Sequence, residues 1–299
     1  MGAGYVRLWR FRRRRGREAS VRPILHQELL PDPGYFYSGT VHEGHPVRNG
    51  PLMSLPENYQ PDSDLLREKV ILVTGAGDGI GKVAAKTYAS FGATVLLLGR
   101  TVNKLEQVYD EIMTQGSAEP GIIPADMGAL GMNTLEEIAD VISSRYGRLD
   151  GLLHNASILG ERIPIEHYDL AEWDKVMQVN FNGVVLLTRF LLPCLQESSA
   201  ASLVFTSSTV GKTPRAYWGP YSVSKYAMEG FALLLADELD NTSDIRVNIV
   251  NPGATRTSMR AEAYPNEDPL TLKTPEDLMP LYVYMMGPDS SENGETFAG

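Results

Sequence analysis

The chain has 299 residues, 43% of them apolar, and carries 27 basic against 37 acidic side chains for a formal charge of −10. That length and apolar content suffice for one large buried core, and an acidic body argues against nucleic acid as the main partner. Cys194 has no second cysteine to bridge to, which excludes an internal disulfide and fits a reducing, cytoplasmic setting.

The charge is unevenly placed. Residues 1–52 contain nine arginines and no lysine against four acids, a net of +5, which leaves −15 for the remainder. Arg12 to Arg15, then Pro31 to Gly34 and further glycines and prolines, give neither helical nor strand periodicity, so this leader is expected to be disordered. Three origins stay open for it: an arginine-rich targeting segment, a basic arm for an anionic surface, or translated sequence upstream of a true start at Met53. It is too charged for a secretory signal. His42 and His45 lie in it without cysteine partners, so no metal site is expected.

From Met53 the pattern alternates strand and helix without internal repeat. Strands are expected near 69–74, 94–98, 121–125, 150–154, 202–207, 245–250 and 295–298. Alternation of this kind predicts a single α/β domain over 53–299, a Rossmann-type doubly wound parallel sheet of about seven strands with helices on both faces. The first strand, Lys69 to Thr74, runs directly into Gly75, Gly79 and Gly81 and then a helical pattern. Glycines in that position let the backbone turn sharply and approach a pyrophosphate, which the helix N-terminus then attracts, so the segment reads as dinucleotide-binding. The second strand ends at Gly99 and Arg100, without the acid that would hold the 2′-hydroxyl of NAD. A guanidinium suits a 2′-phosphate, so NADP is expected, with NAD as the alternative. Asp78 in the glycine turn opposes an anion, and Arg100 reads equally as the start of a surface helix.

Further along, the apolar stretch Val184 to Leu195 is interrupted by Arg189 and is too short to cross a membrane. Ser208 follows an expected strand, Tyr221 lies thirteen residues on, and Lys225 four later. On a helix the last two share a face, and the ammonium is expected to lower the phenol pKa toward working pH, making Tyr221 a general acid or base. Tyr217 and Trp218 read equally as pocket wall or core. Residues 254–274 lack a period and contain Pro265 and Pro269, which suggests a lid; Arg256 and Arg260 there read either as anchors for an anionic substrate or as surface charges.

Taken together these motifs resemble the classical short-chain dehydrogenase/reductase family, and within it the YciK-type bacterial oxidoreductases, from about Met53 to the C-terminus. The likeness includes the Thr74 to Gly81 pattern, Asp126 after the third strand, and His154 to Ser157 where the family has Asn-Asn-Ala-Gly, with Asn155 and Ala156 conforming. It also includes Asn180 and the Pro252 to Thr257 run. The resemblance implies cofactor contacts at Gly75, Gly79, Ile80, Gly81, Arg100, Asp126, Asn155 and Ala156, and at Pro252, Gly253 and Thr257 on the nicotinamide side. It implies Tyr221 as acid/base, Lys225 as its electrostatic partner and ribose anchor, Ser208 as orienter of the substrate oxygen, and Asn180 as holder of a water in a proton relay.

The implied activity is hydride transfer between NADP(H) and a small-molecule carbonyl or secondary alcohol by a homodimer or homotetramer, with no nucleic-acid or membrane partner. A dinucleotide-sensing scaffold without turnover and a 3-oxoacyl-type reductase are the rivals. Because the likeness begins almost at Met53 and YciK-type chains have only a short leader, residues 1–52 are best read as sequence upstream of the true start.

Overall fold

The computed structural model describes residues 52–299, so the expectation for the leader lies, up to residue 51, outside the described residues. Seven parallel strands form one sheet: β1 (Val70–Thr74), β2 (Thr94–Gly99), β3 (Gly121–Pro124), β4 (Gly151–His154), β5 (Ala201–Thr206), β6 (Ile245–Asn251) and β7 (Thr296–Ala298), in the order β3-β2-β1-β4-β5-β6-β7. The central strands are almost unbroken apolar runs because both their faces are covered; every residue of β1, β4 and β5 is buried. Leu72 fixes the register, lying opposite Leu96 of β2 on one side and Leu152 of β4 on the other.

The helices that cover the sheet are α1 (Gly79–Ser90), α2 (Val102–Thr114), α3 (Met132–Tyr146), α4 (Leu170–Met177), α5 (Gly183–Gln196), the short α6 (Thr209–Lys212), α7 (Gly219–Leu239), α8 (Ser258–Ala263) and α9 (Met279–Met286). One core layer joins the buried faces of α3, α5 and α7 to the sheet. The other joins α1, α2 and α9 to it. After β3 the chain returns to the opposite side of β1, so the loops leaving the C-terminal ends of β1 and β4 diverge. That divergence opens the crevice in which open α/β sheets bind ligands.

A π-turn, Gln178–Asn182, splices α4 into α5. The resulting run, Leu170–Gln196, has 27 residues and is long and apolar enough by length and composition to cross a bilayer, contrary to the sequence expectation. Half of its most apolar 18-residue window is buried in the fold, and Leu187, Leu191 and Leu195 are fully covered, so core packing accounts for its apolarity.

Met53 is tied to the sheet. Its N–H donates to the Thr296 carbonyl and its own carbonyl accepts from Ala298, both at 2.9 Å, extending the β7 edge. Both bonds survive in a chain that begins at Met53. We expect such a chain to melt at the same temperature as the full-length protein and to bind the same cofactor, as thermal unfolding and cofactor titration would show; loss of soluble protein would refute this.

Candidate functional site

The C-terminal ends of β1, β2, β4, β5 and β6 surround one continuous cleft of about 410 Å³. At β1 the chain turns through Gly75 (φ 68°) and Gly79 (φ 50°), left-handed conformations that glycine adopts without strain. Thr74, not singled out in the sequence, holds this turn to the next loop: its Oγ1 accepts from the N–H groups of Asn155 (2.9 Å) and Ala156 (3.0 Å). Gly81 does not line the cleft but makes the turn possible, since a β-carbon there would lie 2.5 Å from Asn155 Nδ2 and closer still to the Gly75 carbonyl oxygen. Gly75, Gly79, Ile80, Asn155 and Ala156 all line the cleft.

Asp78 caps α1, accepting from Gly79 N at 2.8 Å. Its charge, which the sequence set against an anionic ligand, is met by Lys104 Nζ at 2.6 Å; this contact and the cap hold the carboxyl below its usual range. Lys104, on α2, is therefore a site residue that the sequence did not reveal, because the pairing spans 26 positions. Arg100 lines the cleft at the end of β2 and has no hydrogen bond or ion pair among the described residues. Asp126 lines it too, its carboxylate accepting from Gly128 N at 2.9 Å. On the β6 side the lining includes Pro252, Gly253 (φ 64°) and Thr257, the last capping α8 through Arg260 N at 3.2 Å.

These residues fit a phosphorylated dinucleotide. The first turn of a helix leaves N–H groups without intrahelical partners, the glycines leave room for close approach, and Arg100 offers a free guanidinium. Ser157 Oγ is buried in the cleft wall without a hydrogen-bond partner, a polar atom suited to a polar ligand.

Ser208, Tyr221 and Lys225 meet on the same cleft. Ser208 follows β5 in extended backbone, and α7 brings in Tyr221 and Lys225 on one buried face, four residues apart. Lys225 is 3% exposed; its Nζ donates to the Thr206 carbonyl at 2.7 Å and stands 5.8 Å from the centre of the Tyr221 ring. The ammonium is thus aimed at β5 and not at the phenol, and the expected lowering of the Tyr221 pKa is corrected. Burial pushes Tyr221 up to about 12, opposed by a hydrogen bond with Ser208. Burial likewise lowers Lys225 to about 8, against the pull of Glu229.

Asn180 does not line the cleft. It is 1% exposed in the π-turn, where Oδ1 accepts from Ile158 N (2.9 Å) and Nδ2 donates to Ile158 O (2.9 Å) and Ser224 Oγ (3.1 Å). Its amide clamps the loop after β4 onto α7. His154, the first departure from the family pattern, is buried and stacked on Phe205, ring centres 5.0 Å apart. Thr188 donates its proton to Val184 O, so His154 Nε2 must donate to Thr188 Oγ1 at 2.8 Å. Burial and the nearby Lys225 lower the imidazole to about 3, keeping it neutral.

Trp218 is a wall of the cleft and is 8% exposed, whereas Tyr217 faces solvent at 57%. Arg256 and Arg260 do not offer free cations. Arg256 donates to the carbonyls of Pro269 (2.6 Å) and Leu272 (3.2 Å), and Arg260 forms a bidentate pair with Glu267.

The short chain dehydrogenase family model matches residues 69–268. Over 241 residues the chain is 50% identical to a protein described as uncharacterized oxidoreductase YciK of Escherichia coli K12, which covers 80% of this chain and 95% of that one. A solved short chain dehydrogenase of Shigella flexneri 2a, complexed with NADP, is 49% identical with a TM-score of 0.77, covering 79% of this chain and 99% of that one. One from Escherichia coli CFT073, complexed with NADPH, is 50% identical with a TM-score of 0.77, covering 80% and 99%. The chain belongs to the short-chain dehydrogenase family and is an enzyme of that family.

Proposed function

We propose that this protein is an NADP(H)-dependent oxidoreductase interconverting a carbonyl and a secondary alcohol, with Tyr221 as the acid and base. The observation that carries the reading is the meeting of Ser208, Tyr221 and Lys225 on the cleft that also holds the unpaired Arg100. Relatives of 49% and 50% identity complexed with NADP and NADPH support the cofactor. When bound, the nicotinamide supplies or accepts the hydride. The protein's own work is positional and protonic.

In the reducing direction the Tyr221 hydroxyl gives its proton to the carbonyl oxygen as that oxygen gains charge, and Ser208 donates a second hydrogen bond to it. Lys225, anchored on Thr206 O, has further N–H groups for ribose hydroxyls and so positions the cofactor beside Tyr221. Asn180 holds the loop after β4 in place. In oxidation the same atoms run backwards, Tyr221 taking the alcohol proton. The exposed Val223, Tyr226 and Leu234 on α7 support pairing of two copies across that helix.

A panel of carbonyl compounds assayed for NADPH oxidation tests this reading; no turnover of any neutral or charged carbonyl by protein that binds NADPH would refute it. Arg100 makes a separate prediction. A charge-assisted contact to the 2′-phosphate contributes about 1.5–3 kcal/mol, so Arg100→Ala should weaken NADPH about tenfold to a hundredfold and leave NADH unchanged. Equal affinity of the unaltered protein for NADPH and NADH, measured by titration, would exclude the role.

A further inference from the structure

We infer that the substrate is neutral and carries an apolar group beside its reacting carbon, with Trp218 selecting for it. The inference rests on the carbonyl–alcohol reading above and names its substrate class. Beside Tyr221 the cleft is lined by Leu159, Trp218 and Ala263, all buried, and by Met259, with Val210 packed in the same apolar cluster. Each of the three arginines near this end already has contacts of its own. Arg260 is bidentate with Glu267 at 2.6 Å and stacks 3.9 Å from the centre of the Tyr264 ring. Arg162 donates to the Ala263 carbonyl and lies over Trp218 (4.7 Å) and Tyr264 (4.8 Å). Arg256 is held by carbonyls of its own loop.

An anionic substrate would have to displace the Glu267 carboxylate from Arg260 or draw Arg162 off the Ala263 carbonyl and the Trp218 and Tyr264 rings, and either is unfavourable. A neutral, apolar compound meets neither penalty.

Ethyl benzoylformate and benzoylformate, which present the same ketone with and without a charge, test this. Turnover with NADPH is measured together with calorimetric binding to the protein saturated with NADP⁺. The ester should have a kcat/KM at least tenfold above the acid, and the ratio should shrink in Trp218→Ala while Arg260→Ala leaves it in place. Equal or better use of the acid overturns the inference, as does failure of the ester to bind. Tighter binding of the ester without turnover upholds the substrate class and overturns the acid/base reading instead.

A different observation assigns a positioning residue. Glu229 lies one turn beyond Lys225 on the same face of α7 and is 8% exposed. Its Oε1 accepts from the hydroxyl of Ser207, whose N–H is held by Val250 O at 2.7 Å and which precedes Ser208. Gly211 of α6 makes room for the pair, since a β-carbon there would lie 2.9 Å from Glu229 Oε1 and 2.8 Å from Ser207 Oγ. The charged groups facing this carboxylate are Lys225 on its own helix and Lys212 on α6; neutral His154 of β4 faces Lys225.

We propose that Glu229 keeps Lys225 protonated and fixes the Ser207–Ser208 turn, acting on the reaction only through them. Burial holds the carboxyl of Glu229 above its usual range, opposed in part by the Ser207 hydrogen bond and the two lysines.

Lys225 anchors the ribose in the reading above, so the pH dependence of NADPH affinity reports its charge without any substrate. In the unaltered protein affinity should fall as pH rises through about 8. Glu229→Gln keeps the acceptor for Ser207 but removes the charge, and should move that midpoint down by about one pH unit or more. Glu229→Asp, which keeps the charge, should restore it. A Glu229→Gln midpoint coincident with that of the unaltered protein overturns the assignment, and a Glu229→Gln protein that fails to fold while Glu229→Asp shows a lowered midpoint does so too. An affinity independent of pH in the unaltered protein would instead remove Lys225 from the cofactor site.

Discussion

Replacement of Tyr221 by phenylalanine should lower kcat about 10²–10⁴-fold, the range that a positioned acid or base contributes, while NADPH affinity and melting temperature stay close to those of the unaltered protein. The substitution removes one oxygen. Tyr221 is 7% exposed and packs beside Trp218, ring centres 5.7 Å apart, contacts that a phenyl ring keeps. The pH profile gives a second reading. Because burial pushes the phenol up to about 12, it stays protonated through pH 6 to 9, so carbonyl reduction loses no acid in that range. Above about 8 Lys225 sheds its proton, and reduction should decline there through the lost ammonium. Alcohol oxidation needs the deprotonated phenol and should therefore climb with pH where reduction falls. Steady-state rates in both directions check the signs; a Tyr221→Phe protein with near-normal kcat would remove the residue from the mechanism.

Gly81→Ala should have the second large effect, on binding instead of chemistry. The added methyl would meet the Gly75 carbonyl and, at 2.5 Å, the Asn155 amide, and the carbonyl is backbone that cannot swing aside. Overpacking of this kind costs about 1–3 kcal/mol, and relief requires α1 to move away from the glycine turn. We expect a lower melting temperature and NADPH binding at least about tenfold weaker. By contrast Gly116→Ala, where nothing lies within 4 Å of the added carbon, disturbs no neighbour and meets only the strain of a φ of 73°. It should lose some stability but keep NADPH affinity. Differential scanning calorimetry and cofactor titration of the two variants separate packing against the turn from backbone strain alone.

Much of this molecule was legible in the chain. The central strand positions are set by short β-branched and leucine runs buried on both faces, and each observed strand lies within two residues of its expected place. The glycine turn was legible because only glycine relieves the crowding at Gly75 and Gly81, and the Tyr221–Lys225 spacing because helix periodicity puts them on one face. The resemblance to a known family added the joint meaning of Asn155, Asn180 and the Pro252 to Thr257 loop.

What sequence alone could not decide depended on partners brought from far along the chain. Asp78 looked hostile to a phosphate until α2 placed Lys104 on it, and Arg260 looked available until Glu267 closed on it. Lys225 was expected to act first on its helical neighbour, but strand β5 offers a carbonyl at 2.7 Å, and burial, which no sequence window reports, raises the Tyr221 pKa instead of lowering it. Residue spacing along the chain determined which groups share a face. Which of them remain free to meet a ligand, and with what charge, was decided by desolvation and by long-range pairing, both properties of the packed structure.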